Sequence, residues 1–138
     1  MATKRIMIVD DEIGFTELVK LNLEQTGRFE VCVVNQPLEA VATAQAFKPQ
    51  LILLDVMMPN KSGGELLAEL EVDAQLKGVP VLFLTASTMS QLARAQQAAV
   101  QGRPVIAKPV TPPELIRRID EVLGRSIFAV WRSWIKKK

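Results

Sequence analysis

Four apolar runs along the chain each break off at a polar residue. Ile6-Met7-Ile8-Val9 meets Asp10-Asp11-Glu12, and Leu51-Ile52-Leu53-Leu54 meets Asp55. Val81-Leu82-Phe83-Leu84 meets Thr85, and Val105-Ile106-Ala107 meets Lys108-Pro109. Short apolar runs bounded by turn residues predict strands buried on both faces, as in a parallel sheet covered by helices. A fifth strand is predicted at Phe29–Val34.

The intervening segments carry helix signals. A helix is predicted near Ile13–Gln25, with Leu18, Leu21 and Leu23 as its apolar contacts and Gly27 marking its end. Another follows Pro37 and carries Leu38, Val41, Ala42 and Ala44, before Lys48-Pro49 ends it. Met57–Gly64 reads as a loop, since Pro59, Asn60, Ser62 and two glycines cluster there. Helices are further predicted over Glu65–Leu76, near Ser90–Val100, and over Pro113–Leu123, the last opened by Thr111-Pro112-Pro113-Glu114. Strand and helix alternate five times, which predicts an α/β fold with a doubly wound, five-stranded parallel sheet in the order 2-1-3-4-5, the flavodoxin-like arrangement. Residues 1–124 form the expected domain, and 125–138 a basic amphipathic helical tail.

Composition removes many alternatives. The chain has no histidine and one cysteine, Cys32, so it holds no Ser-His-Asp triad, histidine metal site or internal disulfide. Cys32 lies in the second predicted strand and is expected to be a core thiol. No apolar stretch approaches the roughly 18–20 residues that cross a bilayer, and no signal peptide is evident, so a cytoplasmic protein is expected. Five of the 17 basic residues and none of the 15 acidic ones fall in 125–138, which leaves the first 124 residues with a net charge of −3. Nothing in that balance predicts nucleic-acid binding.

The remaining chemistry is that of carboxylates, hydroxyls and amines. In the 2-1-3-4-5 order, strands 1, 3, 4 and 5 are neighbours, and ligands bind outside the carboxyl ends of such strands. Asp10, Asp11, Asp55, Thr85 and Lys108 therefore converge on one sheet edge. Singly, each has a plain structural role as a helix cap, a turn residue or a surface charge. Together they suit phosphoryl transfer. Clustered carboxylates repel unless a hard cation such as Mg²⁺, or in its place Mn²⁺, joins them. Asp55 can act as the nucleophile, while Lys108 and Thr85 stabilise phosphoryl oxygens.

Over residues 4 to about 124 the chain resembles the receiver domains of two-component response regulators. The resemblance is carried by Val9-Asp10-Asp11-Glu12, Leu54-Asp55-Val56-Met57-Met58-Pro59 with Gly63, Leu84-Thr85-Ala86, and Lys108-Pro109. It implies that Asp55 is the phosphoacceptor, charged from a phosphohistidine on a sensor histidine kinase or phosphotransfer protein. It further implies Mg²⁺ held directly by Asp11, Asp55 and the backbone carbonyl of Met57, with Asp10 acting through water. Lys108 would contact the phosphoryl group, and the bond to Pro109 would be cis. Thr85 would be the switch residue. Many receivers carry an aromatic residue three positions before the lysine, where this chain has Val105. Met57 and Ser87 occupy positions that tune phosphoryl lifetime in the family.

Two rival functions stay in view. One is a vestigial receiver serving as a constitutive interaction module, a reading kept open by Val105. The other is a phosphatase with an aspartyl-phosphate intermediate, of the haloacid-dehalogenase type. That chemistry needs an acid two residues after the nucleophile, where Met57 stands. In the tail, Ile127, Phe128, Val130, Trp131, Trp134 and Ile135 recur at helical spacing on one face. This predicts a terminal helix on its own domain, or a homodimer or output-partner contact centred on Phe128, Trp131 and Trp134. Membrane-surface binding ranks last.

Overall fold

The computed structural model describes residues 3–86 and 103–136, with side chains as far as residue 124. Five strands form one parallel sheet: β1 (Lys4–Val9), β2 (Phe29–Val34), β3 (Leu51–Asp55), β4 (Val81–Ala86) and β5 (Val105–Lys108). Their order is β2-β1-β3-β4-β5, as the alternating pattern predicts. The helices are α1 (Ile13–Gln25), α2 (Ala40–Phe47), α3 (Gly63–Val72) and α4 (Pro112–Lys136). The helix predicted near Ser90–Val100, and Ser87, lie outside the described residues.

The pleat divides the apolar runs between two cores. Met7, Val9, Ile52, Leu54, Val81 and Phe83 face α2 and α3, where Ala40, Ala44, Leu66, Leu67 and Leu70 meet them. Ile6, Ile8, Leu51, Leu53, Leu82, Leu84 and Ile106 face α1 and α4, against Val19, Leu23, Leu115 and Ile119. Alternate residues of one strand thus serve opposite faces, which is why β1 and β3 are apolar throughout. Each fully buried leucine, isoleucine or phenylalanine contributes about 1.5–3 kcal/mol.

Local structure departs from the sequence expectation at three helices. In α1 the buried residues are Thr16, Val19 and Leu23, while Leu18 and Leu21 are more than half exposed. At 100° per residue, positions 16, 19 and 23 share a face that 18 and 21 do not. After Pro37 the chain makes a turn of 3₁₀ helix over Pro37–Glu39 before α2 begins. Leu38 is exposed there. α3 starts earlier and stops sooner than Glu65–Leu76. Ser62 caps it by accepting from the Glu65 N–H at 3.1 Å. Asp73 ends it by taking the extended conformation and accepting from the Gln75 N–H at 2.9 Å. Leu76 is buried, but from the turn beyond the helix.

Cys32 is half-buried on β2 and packs against the α2–α3 core, and burial pushes its thiol up. α4 runs unbroken from Pro112 to Lys136, so the backbone of the tail continues the last helix of the domain. The side chains of Phe128, Trp131 and Trp134 lie outside the described residues. Among the described residues, no helix is long and apolar enough to cross a membrane.

Candidate functional site

The register brings the strand ends into line. Val9 pairs with Leu54, Asp55 with Leu84, and Ala86 with Lys108, so the residues that follow the apolar runs lie side by side. Asp10 is fully buried just past β1. Its N–H donates to the Val34 carbonyl at 3.0 Å, and its own carbonyl accepts from Asn35 Nδ2 at 2.8 Å. Asp55 is the last residue of β3 and is also buried. Behind it, the Val56 carbonyl accepts from the Gly63 N–H at 2.9 Å, which draws the start of α3 against the strand end.

Asp10, Asp11 and Asp55 offer carboxylate oxygens that all lie within 4.8 Å of one another. Asp10 and Asp55 are buried and Asp11 is exposed, so the cluster opens to solvent on one side. Three acids at that spacing are a donor set for a hard cation. Their electrostatics agree. Burial, with the Asp10 charge and then that of Asp11, pushes Asp55 up to about 7, against the pull of Lys108 and the Met57 N–H. Burial also raises Asp10, although bonds from Lys108 and the Glu12 N–H oppose it. Carboxyls that resist ionisation when alone become anionic when a cation joins them, so the residues present fit a divalent ion.

Lys108 is nearly buried at the end of β5. Its Nζ donates to Asp10 Oδ2 at 2.9 Å and to Glu12 Oε1 at 2.7 Å, and stands 4.6 Å from the centre of the Phe15 ring. Burial works against its charge, but these acidic partners outweigh it and raise the ammonium above its ordinary value. The Lys108–Pro109 peptide bond is cis. Thr85 is buried at the end of β4, where its Oγ1 lies 3.4 Å from the Ala86 carbonyl oxygen. Met57 is partly exposed beside Asp55. Val105 opens β5 opposite Phe83 and packs against the α2–α3 core, half-buried.

The comparisons with known proteins bear on this geometry. A family model described as "Response regulator receiver domain" matches residues 6–120. The chain belongs to this family. As a receiver domain it serves phosphorylation-controlled two-component signalling, as a phosphoacceptor rather than an enzyme. It is 36% identical over 126 residues to the phosphate regulon transcriptional regulatory protein PhoB of Pseudomonas aeruginosa, covering 91% of this chain and 54% of that protein. The chain spans about half the length of the curated relatives it matches. Among solved structures, a response regulator from Desulfuromonas acetoxidans is 31% identical with a TM-score of 0.78, covering 88% of this chain and 97% of that one. Chemotaxis protein CheY4 of Vibrio cholerae is 29% identical with a TM-score of 0.77, covering 88% and 99%.

Sequence reasoning passed over four residues that organise the receiver site. Glu12 was legible as the third acid of the first motif, but its partner Lys108 lies 96 positions away. Phe15 faces the same ammonium. Asn35 and Thr16 hold the backbone of Asp10, with Asn35 Nδ2 2.9 Å from Thr16 Oγ1. No local pattern marks these two, because their roles arise where β1 and β2 end side by side.

Proposed function

We propose that the domain accepts a phosphoryl group on Asp55 from a phosphohistidine of a sensor histidine kinase or phosphotransfer protein. The observation that carries this reading is the convergence of Asp10, Asp11 and Asp55 within 4.8 Å, with Lys108 bound to Asp10 beside them. An Asp55 carboxylate oxygen attacks phosphorus, the P–N bond breaks, and the imidazole leaves as the acyl phosphate forms. Asp11, Asp55 and the Met57 carbonyl would hold Mg²⁺, or Mn²⁺ in its place, with Asp10 acting through water. When bound, the ion neutralises phosphoryl charge. Lys108 contributes a second positive charge, and the Thr85 hydroxyl donates to a phosphoryl oxygen. Hydrolysis of the acyl phosphate by water returns Asp55 and inorganic phosphate.

The signal would pass to an output partner, or to a second copy paired through α4 and the tail. Val105 supplies no aromatic ring to follow Thr85, so the response is carried by Thr85 and the backbone around it.

The test is intact-protein mass after acetyl phosphate treatment, with and without Mg²⁺, on wild type and Asp55→Asn. One phosphoryl adduct that requires both the ion and Asp55 is expected. Absence of an adduct in protein shown to bind Mg²⁺ would overturn the reading in favour of a vestigial receiver.

A further inference from the structure

Lys108 is clasped by a single turn of chain. Asp10, Glu12 and Phe15 all belong to the β1–α1 turn and its first helical residues, and all three reach the ammonium. The turn itself is clamped. The Glu12 N–H donates to Asp10 Oδ1 at 2.9 Å, and the Glu12 carbonyl accepts from the Thr16 N–H at 3.0 Å. Lys108 thus spends two of its three N–H donors on Asp10 and Glu12 and acts on Asp55 through its charge.

The two bonds differ in how readily they can be exchanged. The Asp10 side chain is fully buried, so losing a partner leaves a buried acceptor underpaired at high cost. Glu12 is 61% exposed and can turn into solvent at little cost. We propose that Glu12 is a positioning residue that parks Lys108 on the β1–α1 side of the site, and that a phosphoryl group on Asp55 recruits Lys108 by displacing Glu12. The inference rests on the phosphoacceptor reading above. It assigns Glu12 a restraining role: its carboxylate competes with the phosphoryl oxygens for one ammonium. Removing the Glu12 charge removes that competition.

The experiment measures the initial rate of phosphoryl uptake from acetyl phosphate, followed by intact mass at saturating Mg²⁺ and limiting donor. Wild type, Glu12→Gln and Glu12→Asp are compared at low ionic strength and at about 1 M salt, which weakens an ion pair whose carboxylate is solvent-exposed. Glu12→Gln is expected to react about two- to five-fold faster at low salt, the range of a partly exposed ion pair. The ratio should fall toward one at high salt. Glu12→Asp, which keeps the charge on a shorter arm, should fall between. A rate that is unchanged or slower in Glu12→Gln, while wild type is labelled, overturns the parking role alone. An acceleration that persists at high salt also overturns it, since a packing change ignores screening. If wild type takes no phosphoryl group, the phosphoacceptor reading fails and this inference fails with it.

Discussion

Gly63 lies directly against the backbone of Asp55. A Cβ built on Gly63 would fall inside the contact distance of the Asp55 carbonyl oxygen and 3.0 Å from the Val56 Cα. The Gly63 N–H meanwhile bonds the Val56 carbonyl at 2.9 Å, so the first residue of α3 is fixed to the residue just past the end of β3. Both atoms in the way are backbone, and neither can swing aside. Gly63→Ala is therefore expected to cost about 2–3 kcal/mol and to displace the Asp55 carboxylate from its cluster. Gly64→Ala is the control. Its nearest neighbour would be Ser62 Oγ at 3.9 Å, and alanine favours the helix by up to about 1 kcal/mol. Urea unfolding of both variants checks this pair, and equal midpoints would refute the steric argument.

The raised pKa of Asp55 gives the metal-free protein a definite pH dependence. The folded state holds the proton up to about pH 7, whereas the unfolded chain releases it near 3.8. Between these values the folded state binds more protons, so stability falls as pH rises through the window. The full contribution is present below about pH 4 and is gone above about pH 7. Its size is on the order of 4 kcal/mol. Asp55→Asn should flatten this slope and be the more stable protein at pH 8 without metal. Added Mg²⁺ should restore the wild type by about 2.7 kcal/mol at a hundredfold excess over its dissociation constant, and the variant by less. Urea midpoints from pH 4 to 8 decide the matter. Parallel curves for the two proteins would mean that Asp55 is not the group responsible.

The site was legible because its residues end buried strands. A parallel strand covered on both faces must read as an apolar run, so the first polar residue after it stands out. The sheet order then makes Asp10, Asp55, Thr85 and Lys108 neighbours without further information. The clasp on Lys108 was not legible. Glu12 sits in the β1–α1 turn and Lys108 at the end of β5, and the ion pair exists only because β1 and β5 end on the same side of the sheet. Helix faces were misread for a simpler reason. Leu18 and Leu21 were taken as core by residue type, although the angle around α1 assigns burial to Thr16, Val19 and Leu23. The end of α3 depends on an Asp73 side chain turning back to the Gln75 N–H, and aspartate alone does not announce that.

The α1 reading can be checked directly. Leu18→Gln and Leu21→Gln should change stability by no more than about 0.5 kcal/mol, since both side chains already meet water. Leu23→Ala, about half a turn around the helix from them and fully buried, should cost about 2–5 kcal/mol. A comparable loss at Leu18 would show that α1 is seated differently on the sheet.

Asn35 is the support on which the position of Asp10 depends. Its amide nitrogen donates to the Asp10 carbonyl at 2.8 Å and to Thr16 Oγ1 at 2.9 Å, and Thr16 Oγ1 in turn donates to the Ile13 carbonyl at 3.0 Å. Asn35→Ala leaves the Asp10 carbonyl without that donor, at a cost of about 1–3 kcal/mol. Asn35→Asp matches the original shape but turns a donor into an anion facing a carbonyl oxygen, close to residues that already repel. It should be the worse of the two near neutral pH. Its deficit relative to Asn35→Ala should shrink as the pH falls below about 4, where the new carboxyl protonates and can donate again. Urea midpoints of the two variants at pH 4 and pH 7 separate the cases. If Asn35→Asp is no less stable than Asn35→Ala at pH 7, the amide is filling space, and the seat of Asp10 comes from the sheet alone.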